Sequence, residues 1–124
     1  MEAAPLRILV VEDNDSLLEI LCEMLTSLGH QAVAAASGEE ALVHLRKDRF
    51  NMLLADINLP GISGIDLATM AVEMASNIKI IFSSGFGYLV SDRLDFDFTL
   101  LNKPYYIHEL AHAVSSMSRQ ISAR

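Results

Sequence analysis

Three carboxylic acids, one hydroxyl group and one amine stand at equivalent places in this sequence, each at or just after the end of a short apolar run. The carboxyl ends of neighbouring parallel strands meet at one edge of a sheet, so folding would gather these side chains there. The residues are Glu12, Asp13, Asp56, Ser84 and Lys103.

This combination of side chains suits the transfer of a phosphoryl group. Carboxylates packed together raise one another's pKa, and a hard divalent cation relieves that repulsion. Mg²⁺ favours a few carboxylates together with water and phosphate oxygens. A carboxylate can also act as the nucleophile and form an aspartyl phosphate. Lys103 and the Ser84 hydroxyl would then stabilise the oxygens of the transferred group, because such catalysis is mainly positioning and charge neutralisation.

Five short apolar segments of the sequence predict five β-strands. Runs that are apolar throughout are typical of strands buried on both faces, as in a parallel sheet. The segments are Ile8–Val11, Gln31–Ala35, Met52–Ala55, Lys79–Phe82 and Thr99–Leu101.

Two capping boxes, in which a serine is followed three residues later by a glutamate, predict the starts of the first two helices. They pair Ser16 with Glu19 and Ser37 with Glu40. Gly29 is expected to end the first helix in a left-handed conformation.

Three further helices are predicted in the second half of the chain. One follows the loop Pro60–Gly64, a short one is expected around Leu89–Leu94, and the last runs from about Tyr106 to Ile121. The apolar face of the first contains Ile65, Ala68, Val72 and Ala75, and that of the last contains Ile107, Leu110, Ala111, Val114, Met117 and Ile121.

Strands and helices therefore alternate along the chain. Crossovers of this length favour parallel pairing and a right-handed turn. Helices would cover both faces of the sheet, which predicts a three-layer α/β sandwich.

Composition and net charge indicate which classes of protein this sequence can belong to. Hydrophobic residues make up 52% and the net charge is −7, which favours a folded core and disfavours direct binding of nucleic acid. The single cysteine, Cys22, allows no intrachain disulfide. No apolar run reaches the ~18 residues of a membrane span. We expect one soluble, cytoplasmic domain over residues 1–124, with its core at about 6–121.

At these motifs the sequence resembles the receiver domain of bacterial two-component response regulators. The similarity covers roughly residues 6–121. The motifs that carry it are specific because they occur together, in this order and at these strand ends. They are Glu12-Asp13, the segment Asp56–Pro60 with Gly64, Ser84-Gly85, and Lys103-Pro104.

The resemblance implies a doubly wound, flavodoxin-like (βα)5 fold with strand order 2-1-3-4-5. It implies that Asp56 accepts the phosphoryl group, and that Ser84 and Lys103 stabilise that group. It also implies that Mg²⁺, for which Mn²⁺ or Ca²⁺ could substitute, is held by Glu12, Asp13, Asp56 and the backbone carbonyl of Asn58.

By the same resemblance the chain is a phosphoacceptor signalling domain rather than an enzyme with a separate substrate. It would catalyse its own phosphorylation and dephosphorylation. A histidine kinase or a histidine phosphotransfer protein would donate the group. No effector domain follows in this sequence, so output would pass through a partner protein unless the chain is a fragment.

The chain departs from the family at one position. Family members usually carry an aromatic residue three positions before the lysine, where this sequence has Leu100. The segment Phe82–Gly87 is similar to that of a subgroup that lacks this aromatic switch residue and often stands alone.

Two rival functions and one competing motif stand beside this interpretation. A phosphohydrolase with an aspartate nucleophile would normally need a second acid at Asn58 and a covering cap. A receiver that binds partners without phosphorylation remains compatible with Leu100. The segment His108–His112 matches the HExxH zinc-protease pattern. That match is expected to be chance, because no third ligand follows and both histidines should face solvent.

Overall fold

A computed structural model of the protein describes residues 5–85 and 94–122, which contain five strands and four helices. The helix predicted around Leu89–Leu94 lies almost wholly outside these residues. The strands are β1 Arg7–Val11, β2 Gln31–Ala35, β3 Met52–Asp56, β4 Lys79–Ser84 and β5 Phe98–Asn102. The helices are α1 Asp15–Ser27, α2 Gly38–Lys47, α3 Gly64–Met74 and α4 Ile107–Ser122.

The five strands form one parallel sheet in the order β2-β1-β3-β4-β5. This confirms the predicted fold class and strand order. Strand β3 lies at the centre and every one of its residues is buried. Each strand carries hydrophobic side chains on both faces, because helices cover the sheet from both sides.

Two hydrophobic clusters pack on opposite faces of the sheet and divide the strand residues by alternation. Leu9, Leu53 and Phe82 belong to the cluster that includes α2 and α3. Val10 and Leu54 belong to the cluster that includes α1 and α4. The result is the three-layer sandwich that the sequence predicted. A bilayer-spanning helix is absent from residues 5–85 and 94–122.

The capping box predicted for the first helix was wrong, whereas the second helix is capped by the predicted serine. Helix α1 is capped by Asn14, whose Oδ1 accepts a hydrogen bond from the Leu17 N–H at 3.0 Å. Asparagine caps as well as serine, so the earlier residue starts the helix and leaves Ser16 inside it. Ser37 caps α2 by accepting from the Glu40 N–H at 3.1 Å. Gly29 has a φ of 93°, as predicted for the end of α1.

The predicted apolar face of α3 was rotated from the one that the structure buries, whereas that of α4 was largely confirmed. In α3, Leu67 and Ala71 are fully buried together with Ala68. Three of the predicted residues, Ile65, Val72 and Ala75, are only partly buried at the edge of the cluster.

In α4, Leu110, Val114 and Met117 are buried as predicted, but Ile107 is 43% exposed. Ile121 lies outside the described side chains. Both His108 and His112 are exposed, so the two histidines of the HExxH segment face solvent as expected.

Candidate functional site

The sheet brings the polar residues of four strands to one edge. Glu12 follows β1, Asp56 ends β3, Ser84 ends β4 and Lys103 follows β5. The strands are paired in register, so their carboxyl ends lie side by side. The gathering of residues that the sequence predicted is therefore present.

Lys103 bridges the two buried carboxylates of this edge. Its Nζ lies 2.8 Å from Oε1 of Glu12 and 2.8 Å from Oδ2 of Asp56. The side chains of Glu12 and Asp56 are 2% and 9% exposed, whereas that of Lys103 is 22% exposed. Buried carboxylates need such a partner, because an unpaired charge away from water is costly.

Backbone N–H groups hold the remaining oxygens of the two carboxylates. The Asn14 N–H donates to Oε2 of Glu12 at 3.1 Å. The Asn58 N–H donates to Oδ1 of Asp56 at 3.0 Å. Each carboxylate thus has one oxygen directed towards the backbone and the other towards Lys103, which fixes its orientation.

Glu12, Asp13 and Asp56 can each offer a carboxylate oxygen within 4.8 Å of the others. These are hard oxygen donors at a spacing that suits one divalent cation, so the residues fit Mg²⁺. Asp13 is exposed and keeps the cluster open to solvent, which leaves room for the waters that Mg²⁺ retains. Coordination by the Asn58 carbonyl stays a prediction.

Burial and ion pairing act in opposite directions on the pKa values of the pocket. Burial raises the pKa of Glu12, and the hydrogen bond and charge of Lys103 offset this only in part. Burial alone would lower the pKa of Lys103, but its hydrogen bonds to Asp56 and Glu12 outweigh that effect and raise it. Lys103 is therefore held as a cation, the form that can neutralise an anionic group in the pocket.

Ser84 is fully buried, and its carbonyl oxygen accepts a hydrogen bond from the Lys103 backbone N–H at 2.7 Å. This bond joins the end of β4 to the segment that carries the lysine. Contact between the Ser84 hydroxyl and a phosphoryl group stays a prediction.

At the usual position of the aromatic switch residue, Leu100 pairs across the ladder with Phe82. Phe82 is fully buried, and its ring lies 5.4 Å from that of Phe98 and 6.5 Å from that of Phe96. Three phenylalanines on the β4–β5 side of the sheet thus pack around the place where the family usually has one mobile ring.

The loop between β3 and α3 passes close to Asp56 at Gly64. The Gly64 N–H donates to the Ile57 carbonyl at 3.0 Å, and a Cβ at residue 64 would collide with the Asp56 carbonyl oxygen. Glycine is therefore required for this close approach of two backbones.

The sequence analysis gave no role at the site to two residues that lie beside the pocket. Ser83 is buried and pairs across the ladder with Asp56. Tyr105 follows Lys103-Pro104, and its hydroxyl oxygen is completely buried. The position of Ser83 beside Ser84, at the end of a predicted strand, could have indicated that it lies near the site. Its cross-strand partner depends on the register of the sheet, which the sequence does not specify.

A sequence model of the response regulator receiver domain family matches residues 8–115. The response regulator receiver protein CpdR of Brucella abortus (strain 2308) is 30% identical over 114 residues, covering 90% of this chain and 95% of CpdR. The virulence sensor protein BvgS of Bordetella pertussis (strain Tohama I) is 39% identical over 92 residues, covering 73% of this chain but only 7% of BvgS.

The solved receiver domain of the hybrid histidine kinase CckA has the same fold. Its TM-score is 0.80 at 31% identity, covering 90% of this chain and 98% of that chain. Sequence and structure therefore agree on the family.

Proposed function

Because the chain belongs to the response regulator receiver domain family, we propose that it is a phosphorelay switch in which Asp56 accepts a phosphoryl group. The observation that carries the proposal is the bridge of Lys103 between Glu12 and Asp56, with both distances at 2.8 Å. The bridge supports the proposal because a cation lies against Asp56, within a cluster of three acids that includes both bridged carboxylates.

In the proposed reaction, one carboxylate oxygen of Asp56 attacks the phosphorus of a phosphohistidine. The phosphorus–nitrogen bond breaks, and the donor imidazole keeps the electron pair. Lys103 donates to an oxygen of the transferred group, and Ser84 would donate its hydroxyl to another. A Mg²⁺ ion held by Glu12, Asp13, Asp56 and the Asn58 carbonyl would supply further charge neutralisation.

The donor is proposed to be a histidine kinase or a histidine phosphotransfer protein, and the output to pass through a partner protein. We also propose that the domain catalyses loss of its own phosphoryl group, using water as the acceptor. A cytoplasmic location stays a prediction from the sequence.

Intact-protein mass after incubation with acetyl phosphate tests the proposal, with and without Mg²⁺. The wild type is expected to gain one phosphoryl group only when Mg²⁺ is present, and Asp56→Asn is expected to gain none. Asp66→Asn is a matched control, because Asp66 is an exposed acid in the first turn of α3. Phosphorylation of Asp56→Asn at the wild-type level would refute Asp56 as the acceptor.

No mass gain in a folded wild type would favour a receiver that works without phosphorylation. Incubation with a purified histidine kinase would then distinguish that function from a receiver that accepts a phosphoryl group from one donor only.

A further inference from the structure

The start of helix α2 lies directly against the loop between β3 and α3. A Cβ at Gly38, the first residue of the helix, would lie 2.9 Å from Cβ of Ile62 and 3.1 Å from the Ile62 carbonyl oxygen. Real Cβ atoms do not pack at such distances, so the absence of a side chain at Gly38 permits this approach. The helix and the loop therefore meet through the backbone of α2.

The side chain of Glu39, in the first turn of α2, contacts the same loop. Its Oε2 accepts a hydrogen bond from the Ile62 N–H at 3.4 Å. A Cβ at Gly61 would lie 2.5 Å from that oxygen and 3.2 Å from the carboxyl carbon, so the carboxylate lies against the backbone of Gly61. One side chain of α2 thus contacts two consecutive residues of the loop.

The neighbouring acid, Glu40, faces another part of the structure. Its backbone N–H donates to the Ser37 hydroxyl oxygen at 3.1 Å, and its Oε2 accepts from the Ala36 N–H at 3.0 Å. Glu40 therefore belongs to the N-terminal cap of α2, whereas Glu39 contacts the loop. Because both acids lie in the first turn, their charges interact with the helix dipole in a similar way, and they form a matched pair.

The loop that Glu39 contacts also carries Asn58, whose carbonyl is the predicted ligand of the cation. The loop is closed by the hydrogen bond from the Gly64 N–H to the Ile57 carbonyl, 3.0 Å long. Asn58 and the residues in contact with Glu39 all lie between these two bonded residues. A contact that holds one part of a short closed loop therefore limits how far the Asn58 carbonyl can move.

We propose that Glu39 is a positioning residue for the acceptor site. Its carboxylate holds the β3–α3 loop against α2 and thereby sets the place of the Asn58 carbonyl. This inference rests on the proposed function, because it takes that carbonyl as a ligand of Mg²⁺. Glu39 acts through the backbone of the loop and is not itself a ligand.

Two substitutions of Glu39 separate its hydrogen bond from its charge. Glu39→Ala removes the contact, whereas Glu39→Gln removes the charge and keeps an oxygen that can accept from the Ile62 N–H. The Mg²⁺ Kd from amide shift titrations is expected to rise about three- to fivefold in Glu39→Ala, the scale of one hydrogen bond, and to stay at the wild-type value in Glu39→Gln. An acid that only favours the helix dipole gives another pattern, in which both variants lose stability equally and neither changes the Kd.

Glu40→Ala is the matched control, because it removes an acid of the same turn that caps α2. It is expected to lower the melting temperature and to leave the Mg²⁺ Kd unchanged. An equal rise of the Kd in Glu40→Ala and Glu39→Ala would show that any disturbance of the helix start reaches the site, and would overturn the role of Glu39. An equal rise in Glu39→Gln and Glu39→Ala would overturn the hydrogen bond as its cause.

Amide shifts in EDTA and the wild-type titration distinguish this inference from the proposed function. In the metal-free protein, Glu39→Ala should shift the amides of Ile62 and Asn58, whereas Glu40→Ala should not. A wild type that binds no Mg²⁺ would refute the proposed metal site, and with it this inference. A wild type that binds Mg²⁺ with the same Kd as Glu39→Ala would overturn only the role of Glu39.

Discussion

At the scale of single residues, Lys103 organises the pocket because it is the partner of two buried acids. Each of its hydrogen bonds is 2.8 Å long, which is typical of a charge-assisted contact. Removal of one partner from a buried ion pair commonly costs about 3–5 kcal/mol, because the other charge is left uncompensated. The lysine therefore has a structural role before any phosphoryl group arrives.

The titration of Glu12 tests this electrostatic account. In the metal-free protein, carbon-13 NMR of the side-chain carboxyl should give a pKa above the ordinary value of 4.5, because burial disfavours the charged form. Lys103→Met should raise the pKa further, since the ammonium group stabilises the carboxylate. Lys47→Met, in the last turn of α2, is the control and should leave the Glu12 pKa unchanged. A pKa at or below 4.5 in the wild type would contradict the dominance of burial.

At the scale of secondary-structure elements, the turn from β3 into α3 limits how Asp56 is presented. Its start is held by the bond from the Ile57 N–H to the Ser83 carbonyl, and its end by the bond from Gly64 to Ile57, both 3.0 Å long. Helix α2 contacts the same turn, where the Ile62 N–H donates to Glu39 at 3.4 Å. These contacts constrain the backbone on which Asn58 lies.

Gly64→Ala is expected to displace this turn, because the added methyl group has no space beside the Asp56 carbonyl. The free energy of unfolding should fall by about 1–3 kcal/mol, the usual cost of overpacking. Mg²⁺ binding should weaken as well. Urea unfolding and a Mg²⁺ titration would measure both effects.

Gly85→Ala is the matched control for stability, because no atom of residues 5–85 and 94–122 lies within 4 Å of a Cβ at that position. Equal stability of Gly64→Ala and the wild type would show that the turn adapts to the methyl group.

At the scale of the whole molecule, the pocket is connected to β5 and α4 through the backbone. Lys103 immediately follows β5, and its N–H bonds to the last residue of β4. Inward movement of Ser84 and Lys103 on phosphorylation would therefore act on β5, α4 and the helix predicted around 89–94. Couplings between such sites are typically about 1–3 kcal/mol.

With Leu100 in place of a mobile aromatic ring, the Phe82, Phe96 and Phe98 rings are the bulky groups beside this route.

Amide shift mapping with and without a phosphate mimic tests where the signal goes. Addition of Mg²⁺ and the mimic should shift amides in β5 and in the first turns of α4, beyond those of the pocket. Asp56→Asn is the control and should show no shifts that depend on the mimic. Shifts confined to residues around the carboxylates would refute an output surface on β5 and α4.

The sequence by itself determined the strand positions, the fold class and the polar residues at the sheet edge. These features are encoded locally, since an apolar run that ends in Asp56 or Lys103 can be recognised without knowing its neighbours. Helix boundaries were less secure, because Asn14 and Ser16 are both good caps and their local sequences do not rank them.

Only the tertiary structure decided which atoms meet. The pairing of Asp56 with Ser83, the bridge of Lys103 across β1 and β3, and the enclosure of the Tyr105 hydroxyl depend on strand register and on helix packing. Register and packing result from contacts between residues distant in the chain, so no local pattern specifies them. The same reason explains why the buried face of α3 includes Leu67 and Ala71 beside the predicted Ala68, rather than Ile65 and Val72.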